Sequence, residues 1–362
     1  MIDANNSTGK LFGIEYSNRS GKDLWGKNQF NSTFPLSLAC YMREKNIPVI
    51  YLTLDENLKV VPIELSVDDL FGTTLEPSEI FYSFETQYNP YKDIAYDSIE
   101  RVDLVIAEKD KNKKGKTTDG KHLRALEVKL TVVPDNSTCN LSDDLWAPEI
   151  VIRPATTMYC ALGTAISCSS HKDEIREIFE PVCNGVKSWG NETEASSLLP
   201  NLLDALDSFQ IKFHSKQTPT IMQPIWKTQG KTPFLHDNAF DIFVWSDFAL
   251  ARLVIDLAKK SKENKISRHA RSALRLGRFL FEYSRAGKAH LHNIYSEMTY
   301  SHQSDKEFSV GGRVTHKYMN HYRLRNPILN KDIVKEIILD GGEKNLSPER
   351  RFDQSVYFSS GY

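Results

Sequence analysis

Two stretches carry this sequence: "RVDLVIAE", Arg101–Glu108, and "HLRALEVKLTVVP", His122–Pro134. Both are rich in aliphatic and β-branched residues, and each reads as a strand. Between them runs "KDKNKKGKTTDGK", Lys109–Lys121, a polar connection with six lysines and two glycines. The pattern predicts strand, exposed loop, strand: a hairpin with a long loop. Successive strand residues face opposite ways. Glu127 and Lys129 therefore project together with Ala125, while Leu126, Val128 and Leu130 fill the other face. On the first strand, Asp103 stands among Val102, Leu104, Val105 and Ile106.

If the two strands pair, Asp103 approaches Glu127. Two adjacent carboxylates repel, and burial adds to the cost of charging them. A divalent cation relieves both penalties. Two carboxylates, waters and the Val128 carbonyl make an oxygen donor set that suits magnesium. Lys129 beside it would orient a water or stabilise negative charge developing on a phosphate. The bland alternative is a structural ion pair, Lys129 with Glu127 or Asp103, on a solvated sheet face. An acid two residues before a lysine recurs at Glu263–Lys265 and Asp119–Lys121. The first lies at the polar end of an expected helix and the second in the loop. Only Glu127–Lys129 combines apolar strand flanks with a preceding strand that carries an Asp.

The bulk composition is that of a soluble globular chain: 362 residues, 40% hydrophobic and 26% charged. No apolar run is long enough to span a bilayer. The start, "MIDANNSTGKLFG", lacks the basic and apolar regions of a secretory signal, so a cytoplasmic, prokaryotic protein is expected. Five scattered cysteines form no C-x-x-C pair, which argues for buried free thiols over zinc or a disulfide framework. Net charge is −1, but from Leu257 to Arg325 fifteen Lys/Arg face five Asp/Glu. That segment is +10 within a chain otherwise −11, which points to a polyanion-facing surface.

Outward from the hairpin, the spacing predicts a helix from about Ser32 to Glu44 and a strand in "IPVIYLTLD", Ile47–Asp55. "VVPIELSV", Val60–Val67, reads as a strand kept to a sheet edge by Pro62. Helices are expected in "ATTMYCALGTAI", over Asp173–Phe179 and along the leucines from Leu198 to Leu206. "TIMQPIW" and "FDIFVW" read as strands. Ser246 caps the helix "DFALARLVIDLAKKSKE", and Gly287 ends the next, "SRHARSALRLGRFLFEYSRAG". Short β pieces near Gly311–Gly312 and a helix after Asn330 complete the expectation. With no internal repeat, the chain reads as one mixed α/β domain over 1–362. Its catalytic core would span about 47–180 and a basic DNA-contacting region about 257–325.

Asp103 on one strand and Glu127-x-Lys129 on the next resemble the PD-(D/E)xK nuclease superfamily. That resemblance implies an α/β, restriction-endonuclease-like core: a mixed sheet flanked by helices, with a helical and β-rich C-terminal elaboration. The metal-binding Asp lies in its second core strand and the acid and lysine in its third. Val102 stands where the motif has Pro. An upstream helix often supplies a further acid, for which Glu85 is a candidate. The opening "LFGIEYSNRSGKDLWGKNQFNSTFPLSLACYM", with "RVDLVIAE" and "LEVKLTVVPD" at their depth, is similar to the HindVP-type restriction endonucleases. The resemblance implies a type II enzyme that cuts duplex DNA with Mg2+, with targets of the GRCGYC type. Catalytic roles fall to Asp103, Glu127 and Lys129, with Asp103 and Glu127 on the metal.

For DNA contacts, Arg268, Arg271, Arg275, Arg278 and Arg285 form one stripe on a helix whose other side is apolar. Such a face suits phosphates or a major groove, and equally a solvated surface. Lys114 in the loop and Arg313 in "SVGGRVTHKY" are further candidates. "GKT" at 115–117 and 230–232 lacks the upstream glycine of a phosphate-binding loop, so ATP use is unsupported. His290, His292 and His302 have no cysteine or acid cluster to complete a metal site, and no G-x-S-x-G elbow occurs. The reading is a magnesium-dependent, sequence-specific endonuclease, homodimeric on a palindromic target. It has no membrane role, and a cognate methyltransferase is implied genetically. The alternatives are a structure-specific repair or recombination nuclease of the same superfamily, and a non-catalytic DNA-binding protein.

Overall fold

The computed structural model describes residues 10–11, 14–15, 36–72, 79–99, 101–128, 150–152, 154–224, 227–229, 232–234, 242–260, 266–300, 308–310, 328–329, 333 and 337. Lys129, Arg313, Cys139, Trp25 and His302 lie outside the described residues.

Seven strands form the central sheet: β1 (Val49–Leu54), β2 (Val60–Leu65), β3 (Ile80–Thr86), β4 (Val102–Lys111), β5 (Thr117–Val128), β6 (Pro219–Pro224) and β7 (Ile242–Ser246). Their order is β2-β1-β7-β6-β5-β4-β3. The strands β3, β4 and β5 form an antiparallel meander, β6 adds parallel to β5, β7 lies antiparallel to β6, and β1 lies parallel to β7. The sheet is therefore mixed, and two of its inner strands come from beyond residue 180. Strand β2, with Pro62, is an edge strand, as its missing N–H requires.

Strand alternation divides the interior in two. Leu104, Ile106, Leu126, Val128, Met222 and Val244 pack on one face with Leu36 and Met42 of helix α1 (residues 36–44) and Leu70 and Phe71 of α2 (Val67–Phe71). On the other face, Val105, Ala125, Ile221 and Trp245 meet a helical layer. That layer comprises α3 (Pro154–Ser167), α4 (Lys172–Cys183), α5 (Glu192–Phe213), α6 (Asp247–Lys259) and α7 (Arg268–Ala286), followed by α8 (Leu291–Glu297). Helices thus flank both faces, and the described cysteines are buried free thiols. At Gly277, α7 approaches α5 so closely that a Cβ would lie 2.7 Å from Leu202 Cδ1.

Two expectations change here. The lysine-rich connection is not a long loop. Strands β4 and β5 run on through most of it and turn only at Asn112–Lys116. There the Asn112 side chain accepts from the Lys114 and Lys116 amides, both at 3.0 Å, and Gly115 takes φ 75°. Nor is the arginine stripe of α7 a solvent-facing surface. Arg271, Arg275 and Arg278 are only 1%, 2% and 7% exposed, because further helices cover that side as well. Arg271 donates to the Ile266 carbonyl at 3.1 Å. Arg275 donates to the Tyr295 and Met298 carbonyls at 3.2 and 3.1 Å and stacks on the Tyr295 ring. Arg278 pairs with Glu282 and Glu297 at 2.7 and 2.5 Å. Arg275 and Arg278 fasten α8 to α7, and Arg271 ties down the chain that enters α7; Arg268 is half-buried and Arg285 exposed at the ends.

At the junction of β7 and α6, Asp247 is fully buried. Its Oδ1 accepts from the Thr218 and Phe248 amides, both at 2.9 Å, and its Oδ2 from the Ser167 hydroxyl at 2.9 Å. Burial pushes its carboxyl up from 3.8 to about 7 despite those bonds. The folded chain therefore holds a proton that the unfolded chain has lost between these two values. The contribution of this group to stability falls as pH rises through that window. Urea unfolding at a series of pH values is expected to show that fall, and Asp247→Asn to flatten it. Arg275→Ala, which strands two carbonyls, one of them buried, is expected to cost about 1–3 kcal/mol of unfolding free energy. The same variant should leave the salt dependence of DNA binding unchanged, read by fluorescence anisotropy.

Candidate active site

The hairpin register pairs Ile106 with Arg124, Val105 with Ala125 and Leu104 with Leu126. Continued by one residue, it sets Asp103 opposite Glu127. The Asp103 carboxylate does reach across: its Oδ2 accepts the Val128 amide at 2.7 Å. Asp103 is half-buried and Glu127 is 7% exposed. Leu126 and Val128 turn into the opposite core and hold β5 in place. On its other edge Glu127 pairs with Ile221 of β6. Asp103 and Glu127 thus share one side of the hairpin where β4 begins and β5 ends.

Three tyrosines wall this end on the helical side. Tyr91 is fully buried, and its hydroxyl is raised well above the usual phenol range, chiefly by burial, with Tyr88, Tyr159 and Glu127 among the charges adding to the shift. Tyr88 meets Tyr91 edge-on at 4.9 Å, and Tyr91 stacks on Tyr159 of α3 at 6.1 Å. The Tyr159 hydroxyl donates to the Arg101 carbonyl at 2.9 Å, which ties α3 to the chain just ahead of Asp103. Sequence reasoning did not single these tyrosines out. Tyr88 and Tyr91 lie in a stretch between two strands that carried no assignment, and Tyr159 lies in the expected helix "ATTMYCALGTAI".

Glu85 follows a different course. It falls between the pairs Phe84–Leu104 and Thr86–Val102, takes φ 49°, and is exposed. It lines an open polar cavity of about 540 Å³ with Lys92, Arg101, Asp119 and His122. Among the described residues no group of three or more His, Cys, Asp or Glu is placed to hold a metal ion, so Glu85 does not join Asp103 and Glu127 in such a cluster. In the same cavity the His122 ring faces Asp119 at 2.9 Å, stacks on Tyr88, and accepts the Asn89 amide at 3.1 Å. His290 stacks on Tyr96 at 4.4 Å and lies 3.6 Å from Asp97, a polar role rather than a ligand set. Lys114 is exposed at the hairpin turn. No helix among the described residues is long and apolar enough to cross a membrane.

The donor set at Asp103 and Glu127 fits a hard divalent cation. Magnesium is commonly held by one or two carboxylates, with water and substrate phosphate completing the shell. Among the described residues no third His, Cys, Asp or Glu groups with these two acids, which matches that habit better than it matches zinc, which takes three or four protein ligands rich in nitrogen and sulfur.

The family model for the HindVP restriction endonuclease matches residues 25–362. A relative named type II restriction enzyme HgiDI, from Herpetosiphon aurantiacus, is 37% identical over all of this chain and 98% of its own length. The probable type II restriction enzyme HindVP of Haemophilus influenzae is 34% identical over 97% of this chain and 93% of its own. No solved structure matches. The match extends through the strands that carry Asp103 and Glu127 and on to the last residue, and the chain belongs to the HindVP restriction endonuclease family.

Proposed function

We propose that this chain is a type II restriction endonuclease that hydrolyses duplex DNA at a defined sequence through a magnesium-dependent PD-(D/E)xK centre. The observation that supports the reading is the contact from Asp103 Oδ2 to the amide of Val128, the residue next to Glu127. Membership of a restriction-endonuclease family supports the activity. The mixed sheet, with Asp103 on the second strand of the meander and Glu127 on the third, supports the superfamily core.

In this reading Asp103 and Glu127 hold the cation. When bound, it would offset charge on the scissile phosphate and lower the pKa of an attacking water. The Val128 amide keeps the Asp103 carboxylate turned toward Glu127, and the tyrosine wall excludes solvent behind the pair. Lys129, the residue that follows Val128, carries the proton-bearing cation that orients the water or the phosphate oxygen. A palindromic target, of the GRCGYC type that the resemblance implies, calls for two copies of the chain related by a two-fold axis. The enzyme would act in the cytoplasm alongside a cognate methyltransferase that protects host DNA.

Plasmid DNA incubated with the purified protein and magnesium is expected to give discrete fragments, whose ends read at base resolution reveal the target. Chelation should stop the cutting. Asp103→Asn, Glu127→Gln and Lys129→Ala should each lower the cleavage rate at least about a hundredfold while gel shifts with the same DNA persist. Smeared or branch-specific cutting would turn the reading toward a repair nuclease. A gel shift without any cutting would leave a DNA-binding protein whose carboxylate pair is structural.

A further inference from the structure

Strands β4 and β5 outrun the rest of the sheet. Beyond Glu108, residues 109–117 are all exposed, so the hairpin leaves the core as a two-stranded ribbon. Its sequence alternates in charge, Glu108-Lys109-Asp110-Lys111, before the tip adds Lys113, Lys114 and Lys116. Strand alternation sorts those charges by face. Lys109 and Lys111 share a side, opposite Asp119 and Thr117 of β5. Glu108 and Asp110 share the other, and a Cβ at Gly120 would stand 3.2 Å from that of Asp110. On the lysine side Asp119, across from Lys109, faces the His122 ring at 2.9 Å. Strand β4 thus carries its lysines on one face of the ribbon and its acids on the reverse.

The register shows which face is which relative to the carboxylates. From Ile106–Arg124 to Ala107–His122 to Lys109–Asp119, the surplus residues at each irregularity belong to β5. Strand β4 runs through unbroken, so Asp103, Val105, Ala107, Lys109 and Lys111 follow one another along one side. Lys109, Lys111 and Asp103 therefore belong to one face of β4, which the ribbon's twist turns along its length. At about 3.3 Å per residue, Lys111 lies roughly 26 Å from Asp103, a span of about 8 base pairs at ~3.4 Å each.

We propose that this ribbon is a clamp on the duplex: Lys109, Lys111 and the tip lysines engage backbone phosphates about 8 base pairs to one side of the scissile bond. A two-stranded ribbon fits the major groove, and its sign matches the polyanion while its reverse face repels it. The inference rests on the nuclease reading, and its test separates the two.

Duplexes carrying one cleavage site are made with flanks from about 2 to about 15 base pairs, and cleavage rates and salt-dependent binding are measured for each. For the wild-type protein, the rate should rise with flank length and level off near 8–10 base pairs, about the ribbon's reach. The double variant Lys109→Gln/Lys111→Gln should lose that gain, and its slope of log affinity against log salt should shrink by about 0.9 per lysine removed. Glu108→Gln/Asp110→Asn on the reverse face should keep both wild-type behaviours. The clamp is overturned if the lysine variant keeps the wild-type slope and flank dependence. It is equally overturned if the acid-face variant shifts the slope as much in the opposite sense, since bulk charge would then account for both. A wild-type protein that cuts none of the duplexes overturns the nuclease reading instead, and the salt slope still reads the ribbon.

Discussion

One hydrogen bond organises the end of the sheet that carries the candidate site. The Val128 amide belongs to β5, which already pairs with β6 through Glu127 and Val128. Its proton goes to the carboxylate of Asp103 on β4, 2.7 Å away. A side chain here stands in for the next rung of the ladder and leaves the first residues of β4 free to diverge. The register is not negotiable at this point. A slip of one residue would carry Glu127 into the core that Leu126 and Val128 occupy and bring those two onto the polar side. The apolar residues on either side of Glu127 therefore do as much to place its carboxylate as the acid itself.

That local order depends on what covers the sheet. Helix α3 reaches the chain ahead of Asp103 through the Tyr159 hydroxyl, and Tyr91 lies between α3 and the carboxylate face. Helix α3 is held in turn by the Asp247 junction, where Ser167 at its end meets the first residue of α6. Arg275 of α7 closes the far side of the layer by donating to two carbonyls near the end of α8, of which that of Met298 is buried. Glu127 is buried at the candidate site, and further buried titratable groups, Asp247 and Arg271 among them, sit at joints between elements.

Much of this was legible in the sequence because it rests on local pattern. The apolar flanks of Asp103 and Glu127 specify two strands, and period-two alternation puts the acids on one side. Ser246 and Ser267 announce helix starts, each accepting an amide three residues on. What escaped depends on tertiary context. Strand β3, "IFYSFET", shows no clean alternation because its middle residues are half-buried on both sides. The arginine stripe was read correctly as a stripe, but spacing reveals only that residues share a side, never whether another helix covers it. The acids that neutralise Arg278 come from one turn along its own helix and from α8. The lysine-rich connection looked like a loop because its composition is polar. A ribbon that buries nothing needs no apolar residues, and hydrogen bonds between its strands hold it without them.

The same fact explains why such a ribbon grows from these two strands and not from others. A grip on a polyanion has to stay in register with the scissile phosphate, or binding energy gained at one end does nothing to place the reacting atoms at the other. A flexible loop of lysines would supply charge without that constraint. Continuous strands transmit position along their length, and β4 carries Asp103 near one end and Lys111 at the other with no inserted residue between. The surplus residues fall in β5, where they add twist to the ribbon without interrupting the strand that spans from carboxylate to tip.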